Sequence, residues 1–237
     1  MDIEIWSDVI CPWCYIGKRR FEQALEQFPH RDAVIVRWHS FELDPDAPQQ
    51  YAGTLNEMLA EKYETTPQQA AQMNQRVSAL AAEVGLDYQL DQARPGNTFN
   101  AHRLLHLAAK RGVQPAVTER LMRAYFTEGQ SIGDSETLAR LASEAGLDAN
   151  EARATLADDA FADEVRADER RAAMLGIHGV PFVAIDARYG VSGAQPTEVF
   201  LKALETAWAA SQPLTMVSGD AESADDSGVC EDDNCAI

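Results

Sequence analysis

Asp2-Ile3-Glu4-Ile5-Trp6-Ser7-Asp8-Val9-Ile10-Cys11-Pro12-Trp13-Cys14-Tyr15-Ile16-Gly17 opens the chain and decides its reading. Asp2 to Trp6 alternates polar and apolar, the period of a half-buried strand. After Cys14, the residues Tyr15, Ile16, Arg19, Phe21, Leu25 and Phe28 mark an amphipathic helix, with Pro29 near its end. Pro12 fits the first helical position, where a missing N–H costs nothing. Cys11 then stands at the helix N-terminus, where the macrodipole and free N–H groups favour a thiolate. Cys14 follows one turn later, within reach of Cys11 for a disulfide. A strand–Cys-x-x-Cys–helix unit points to redox chemistry, with Cys11 as nucleophile and Cys14 as resolving thiol. A zinc site would want a second Cys/His pair at suitable spacing, and none lies nearby.

Working outward, a second strand is expected over Ala33 to Trp38, continuing towards Phe41 and Leu43. The breaker cluster Asp44-Pro45-Asp46-Ala47-Pro48 ends it. From about 48 to 175 the pattern is helical, with candidate helices at Leu55–Lys62, Pro67–Val84, Thr98–Arg111, Pro115–Phe126, Ser135–Glu144, Glu151–Leu156 and Ala160–Met174. Ser135 is a plausible N-cap for the fifth of these. Gly176-Ile177-His178-Gly179-Val180-Pro181 then leads into the strand Phe182–Ile185. A turn, the strand Tyr189–Ser192 and a helix through Val199, Leu201, Leu204 and Trp208 follow. Pro181 suits a strand's first residue, because it has no ladder donor.

His102 and His106 stand four apart on one helix, but no third ligand is evident, so packing and hydrogen bonding are favoured over metal. No dinucleotide fingerprint, P-loop or Gly-x-Ser-x-Gly elbow is present. Twenty Lys and Arg face 38 Asp and Glu, a net charge of −18. Such an acidic chain is a poor partner for nucleic acid or an anionic membrane surface. Met1 to Trp6 has neither a basic nor an apolar leader, and no apolar run reaches ~18 residues. A cytoplasmic location and no membrane association are therefore expected.

Beyond Trp208 the composition shifts. Ser211 to Ile237 carries seven acidic residues and no Lys or Arg, so a mobile acidic tail is expected. It holds the other two cysteines, Cys230 and Cys235, as a C-x4-C pair. On a regular helix residues five apart lie about 140° apart around the axis, so a disulfide there needs a turn. Acidic neighbours should raise these thiols' pKa values and slow their attack. Two dithiols on one chain suggest that this pair serves as an auxiliary redox couple for Cys11 and Cys14; an incidental tail pair, or soft-metal binding by both thiolates with nearby carboxylates, are the alternatives.

Four stretches together resemble the DsbA family of thiol–disulfide oxidoreductases, and in particular its cytoplasmic FrnE-like branch. They are Ser7 to Gly17, Phe41-Glu42-Leu43-Asp44-Pro45, Asn97-Thr98-Phe99-Asn100-Ala101-His102-Arg103-Leu104, and Gly176 to Phe182. The resemblance implies an α/β, thioredoxin-like fold with a large inserted all-helical domain. The thioredoxin-like part would be residues 1–47 and 176–210, the helical insertion 48–175, and the acidic tail 211–237. It implies Cys11 as attacking thiol, Cys14 as resolving thiol, and Pro181 as a cis-proline beside them. Pro12, Trp13, Val180 and His178 are the candidate substrate-binding residues. The implied reaction is exchange with disulfides or thiols of protein substrates. No metal or organic cofactor is implied; glutathione is a candidate co-substrate, and a low-molecular-weight thiol or a reductase a candidate electron partner. The same superfamily includes glutathione-dependent 2-hydroxychromene-2-carboxylate isomerases and kappa-class glutathione transferases, which typically have Ser at the position of Cys11. An intact Cys-Pro-Trp-Cys favours redox chemistry over these. A redox-regulated chaperone is a third reading.

Overall fold

The computed structural model describes residues 1–211. Cys230 and Cys235, and the acidic tail from 212 onward, lie outside the described residues. Strand β1 (Asp2–Ser7) lies inside a four-stranded sheet of order β2-β1-β3-β4, with β2 at Ile35–Ser40, β3 at Phe182–Ile185 and β4 at Tyr189–Ser192. β1 runs parallel to β2 and antiparallel to β3, which pairs antiparallel with β4. A parallel pair needs a crossover, and helix α1 (Pro12–Gln27) supplies it.

The period-2 alternation of β1 sorts its side chains between two layers. Ile3 and Ile5 pack with Phe21, Ala24 and Phe28 of α1, and with Phe200 and Leu204 of the last helix, α9 (Thr197–Ser211). On the other face, Glu4 pairs with Arg171 at 2.8 Å and Trp6 donates its indole N–H to Asp168 O at 3.2 Å. Both partners belong to α8 (Ala162–Met174).

Six further helices lie between β2 and α8 in the chain: α2 (Leu55–Lys62), α3 (Pro67–Glu83), α4 (Phe99–Lys110), α5 (Gln114–Phe126), α6 (Ser135–Glu144) and α7 (Ala149–Ala157). Thr54 with Glu57 and Thr66 with Gln69 form capping boxes that start α2 and α3. The core of these helices is continuous with the underside of α1: Cys14, Tyr15 and Ile16 share one cluster with Leu104, Leu121, Phe126 and Leu138. The whole is the thioredoxin-like α/β fold with an extensive helical insertion.

Local details depart from the sequence expectation. Arg31–Ala33 forms a single 3-10 turn, and the second strand begins only at Ile35, whose partner is Asp2 near the start of β1. It stops at Ser40 because its partner Ser7 is the last residue of β1. Beyond that point Leu43 gives its N–H to the Asp8 side chain instead of a strand. The cap of α6 is Asp134, not Ser135; its carboxylate accepts from Thr137 N–H at 2.8 Å.

Candidate active site

A turn at the end of β1, closed by Cys11 N–H donating to Asp8 O at 3.1 Å, delivers the chain into α1. Cys11 is the N-cap, with extended backbone (φ −81°, ψ 114°), and its carbonyl accepts from Cys14 N–H at 3.0 Å. Its thiol donates to Val180 O at 3.6 Å. The Val180–Pro181 peptide is cis. Pro181 is anchored through Gly193 N–H, which donates to its carbonyl at 2.8 Å. Gly17 of α1 faces it so closely that a Cβ there would stand 3.0 Å from Pro181 Cγ. The topology thus brings the Cys11–Cys14 segment and Pro181 together from well-separated parts of the chain.

Cys11 and Cys14 are both free thiols. They differ in what they face. Both are buried, Cys11 at 3% and Cys14 at 1% exposure, but Cys11 lines a cavity of about 270 Å³ and Cys14 lies outside its lining. Burial pushes the Cys14 thiol well above its ordinary pKa, and neighbouring Cys11 adds to this.

The cavity lies between the Cys11 loop and the first two inserted helices. Pro12, Trp13 and Val180 line it from one side, and Met58, Leu59, Tyr63, Met73 and Val77 from α2, α3 and the α2 C-cap. Its rim exposes large apolar side chains, Trp13 at 41%, Tyr63 at 57% and Met73 at 43%. Singly exposed apolar residues are ordinary; here three gather around one opening. Asp44 and Lys62, 3.8 Å apart, supply charge of both signs. His178 sits on the exposed loop before Val180 and is not among the lining residues.

Behind the pair lies a buried polar group that the sequence reading missed. Asp8 is fully buried and accepts from Leu43 N–H (2.9 Å) and Thr98 Oγ1 (3.3 Å). Its Oδ1 lies 3.4 Å from Nε2 of buried His102. Burial alone would lower the His102 pKa, but Asp8, Glu42 and Glu169 outweigh it and the value is raised. Glu42 is itself held up by burial, against the pull of Arg166 at 2.5 Å. The one available signal was an acid flanked by the apolar run Val9-Ile10. His106, a turn further along α4, instead meets Ser40 Oγ (3.1 Å) and Asp168 (3.2 Å).

Two contacts fix α1 against the insertion. Tyr88 donates its hydroxyl to Pro12 O at 2.8 Å and stacks on Phe126 at 4.5 Å. Glu119 of α5 accepts from Tyr15 (2.5 Å) and Lys18 (2.6 Å) and from Arg19. Burial disfavours the Glu119 charge, but these donors win and hold its pKa at about 2.

No helix among the described residues is long and apolar enough to cross a membrane. Comparison with solved structures finds the same architecture. A probable DsbA oxidoreductase from Streptomyces coelicolor is 50% identical, covers 95% of this chain and 97% of its own, and superposes with a TM-score of 0.86. A cytosolic disulfide reductase, DsbM of Pseudomonas aeruginosa, solved with GSH, shares the fold at 19% identity and a TM-score of 0.60, over 88% of this chain and all of that one. A 2-hydroxychromene-2-carboxylate isomerase does so at 17% identity and 0.60, over 89% and 95%. The family model for the DSBA-like thioredoxin domain matches residues 2–205. The chain belongs to that DsbA-like family.

Proposed function

We propose that this protein is a thiol–disulfide oxidoreductase or isomerase acting on protein disulfides through Cys11. The observation that carries this is the asymmetry of the two thiols: Cys11 caps α1 and opens on an apolar cavity, while Cys14 is sealed beneath it. The Cys11 thiolate attacks a substrate disulfide, and the substrate's second sulfur leaves with the bond's electron pair. Cys14 then attacks Cys11 Sγ and releases the substrate's first sulfur, so two electrons pass from the dithiol to the substrate. The same steps reversed oxidise a substrate dithiol. Val180 O and Pro181 flank the attacking sulfur and orient an incoming chain, and Pro12, Trp13 and Val180 bear on its side chains. His178 contacts only the outer part of a protein substrate.

The apolar rim supports a protein rather than a small polar molecule as substrate. Glutathione, or a reductase, returns electrons to the pair, and Cys230 with Cys235 serves as an auxiliary couple. We place the reaction in the cytoplasm, the compartment named for the Pseudomonas reductase. Insulin reduction and refolding of scrambled ribonuclease test this assignment, with Cys11→Ser as the decisive variant. Loss of both activities is expected; their survival in Cys11→Ser would contradict it. The likeness to the isomerase favours one second reading, a glutathione-dependent isomerisation in the same cavity, which that variant would retain. Chaperoning independent of both cysteines would point to a binding protein.

A further inference from the structure

Tyr88 lies in the loop between α3 and α4 and is buried. Its hydroxyl donates to the Pro12 carbonyl at 2.8 Å, inside the Cys11–Cys14 segment itself. Its ring stacks on Phe126 at 4.5 Å and on Tyr15 at 6.2 Å. The backbone on either side is pinned to the end of α5: Gln89 N–H donates to Phe126 O at 2.6 Å, and Thr127 Oγ1 to Asp87 O at 2.7 Å. The insertion thus holds one hydroxyl in place against a peptide group between the two thiols.

Pro12 is the first residue of α1, and in a regular helix its carbonyl already accepts the N–H four residues on. Tyr88 takes the second lone pair. The other end of the same planar peptide is the Trp13 N–H, one of the four that a helix N-terminus leaves without an intrahelical acceptor. Trp13 is the second helical residue, and the N–H groups of the second and third positions are those an N-cap side chain reaches. Of these two, the Cys14 N–H is taken by Cys11 O at 3.0 Å. The Cys11 side chain makes no cap bond as a thiol, since it donates to Val180 O. A thiolate can only accept, and the Trp13 N–H is the donor left for it.

We propose that Tyr88 is a positioning residue for Cys11: by fixing and polarising the Pro12–Trp13 peptide, it presents the Trp13 N–H to the Cys11 sulfur when that sulfur carries charge. This rests on the exchange reaction proposed above. There Cys11 gives its S–H proton to solvent, and its thiolate attacks one sulfur of a substrate disulfide. The disulfide bond breaks, and its electron pair leaves with the other sulfur, which takes up a proton. In the reverse direction Cys11 is the group that leaves as thiolate. A hydrogen bond at a peptide oxygen makes the N–H of the same unit a stronger donor, because chained hydrogen bonds polarise one another. Without the hydroxyl the reduced pair is less favoured and the thiolate scarcer, while each thiolate is more nucleophilic.

The test exploits that opposition. Full-length protein carrying Cys14→Ser, Cys230→Ala and Cys235→Ala keeps Cys11 as its one thiol. Its attack on a dipyridyl disulfide is followed by release of the absorbing thione across the neutral and alkaline range. Tyr88→Phe keeps the ring stack and removes only the donor. It is expected to slow attack about threefold near neutral pH, and to reach or exceed the parent rate at about pH 10, above the ordinary range of a cysteine thiol. With Cys11 and Cys14 both intact, the same substitution should shift the equilibrium with glutathione about threefold towards the disulfide. Slowing by one factor at every pH would mean that Tyr88 only shapes the loop, and overturns the inference. Unchanged rates, or an unchanged glutathione equilibrium, overturn it too. A parent protein whose Cys11 releases no thione at any pH would overturn the exchange reaction instead.

Discussion

Cys11 and Val180 meet across 169 residues of chain: the thiol at the head of α1 donates to the carbonyl that precedes the cis-proline, at 3.6 Å. The nucleophile is thereby set where an incoming chain would lie, on the edge of an apolar cavity. Cys14, one turn on, lies outside that lining and packs in the core with Tyr15, Ile16 and Leu104. The division of labour proposed for the two thiols follows from these different surroundings.

The buried thiol should be chemically quiet. Burial raises the Cys14 pKa well above its ordinary value, so the thiol stays protonated through neutral pH. In a Cys11→Ser variant, iodoacetamide at neutral pH is expected to label Cys14 about tenfold or more slowly in the folded protein than in urea, since each unit of pKa cuts the thiolate fraction tenfold. Peptide mass spectrometry reads the site. Equal rates in both states would mean that Cys14 is neither buried nor shifted.

The close approach of α1 to Pro181 leaves no room for a branched side chain. A Cβ on Gly17 already falls 3.0 Å from Pro181 Cγ and 3.5 Å from Ala194. Gly17→Val should destabilise the fold by about 1–3 kcal/mol through overpacking. It should also slow attack by Cys11, because the displaced loop carries Val180. Urea denaturation and the disulfide-release assay measure the two effects.

Glu119 links α1 to α5, and its carboxyl lies at about 2 in the fold against an ordinary 4.5. A carboxylate depressed on folding contributes stability that is full above the unfolded value and is lost as pH falls through the folded one. Stability should therefore decline between about pH 4.5 and about pH 2. Glu119→Gln should flatten that decline. It should cost roughly 1–2 kcal/mol at neutral pH, since Lys18 is left buried without this partner while Glu119 keeps partial solvent contact. Denaturant midpoints across the acid range check both.

The cavity rim offers a separation of substrates. Met73 is 43% exposed at its mouth, so a polar replacement leaves the core intact. Met73→Glu is expected to slow reduction of a protein disulfide by roughly fivefold, equivalent to about 1 kcal/mol of lost apolar contact. A small aromatic disulfide should react with Cys11 at an unchanged rate. A parallel loss on both substrates would mean that the rim acts on Cys11 and not on the substrate.

Much of this molecule was legible in its first seventeen residues. The alternation of β1, Pro12 at the first helical position and the Cys-x-x-Cys spacing are local signals, and the structure has the elements they imply. The inserted helices were legible because glycines and prolines separate them. What stayed hidden depends on pairing across the chain. Ile35 starts β2 because Asp2 is its partner, and Ser40 ends it because β1 stops at Ser7. Asp8 is buried by Thr98, Leu43 and His102, which are 35 to 94 residues away. Met58 and Met73 become cavity wall only through the placement of α2 and α3 beside Cys11.

The most direct test of exchange through Cys11 is trapping. Full-length Cys14→Ser protein is incubated with an oxidised protein substrate, quenched in acid and resolved under non-reducing conditions, with the linkage read by mass spectrometry. A covalent adduct joining Cys11 to a substrate cysteine, absent from the Cys11→Ser, Cys14→Ser double variant, is the expected result. Adducts that form equally well without Cys11, or no adduct while activity towards the same substrate persists, would contradict the account.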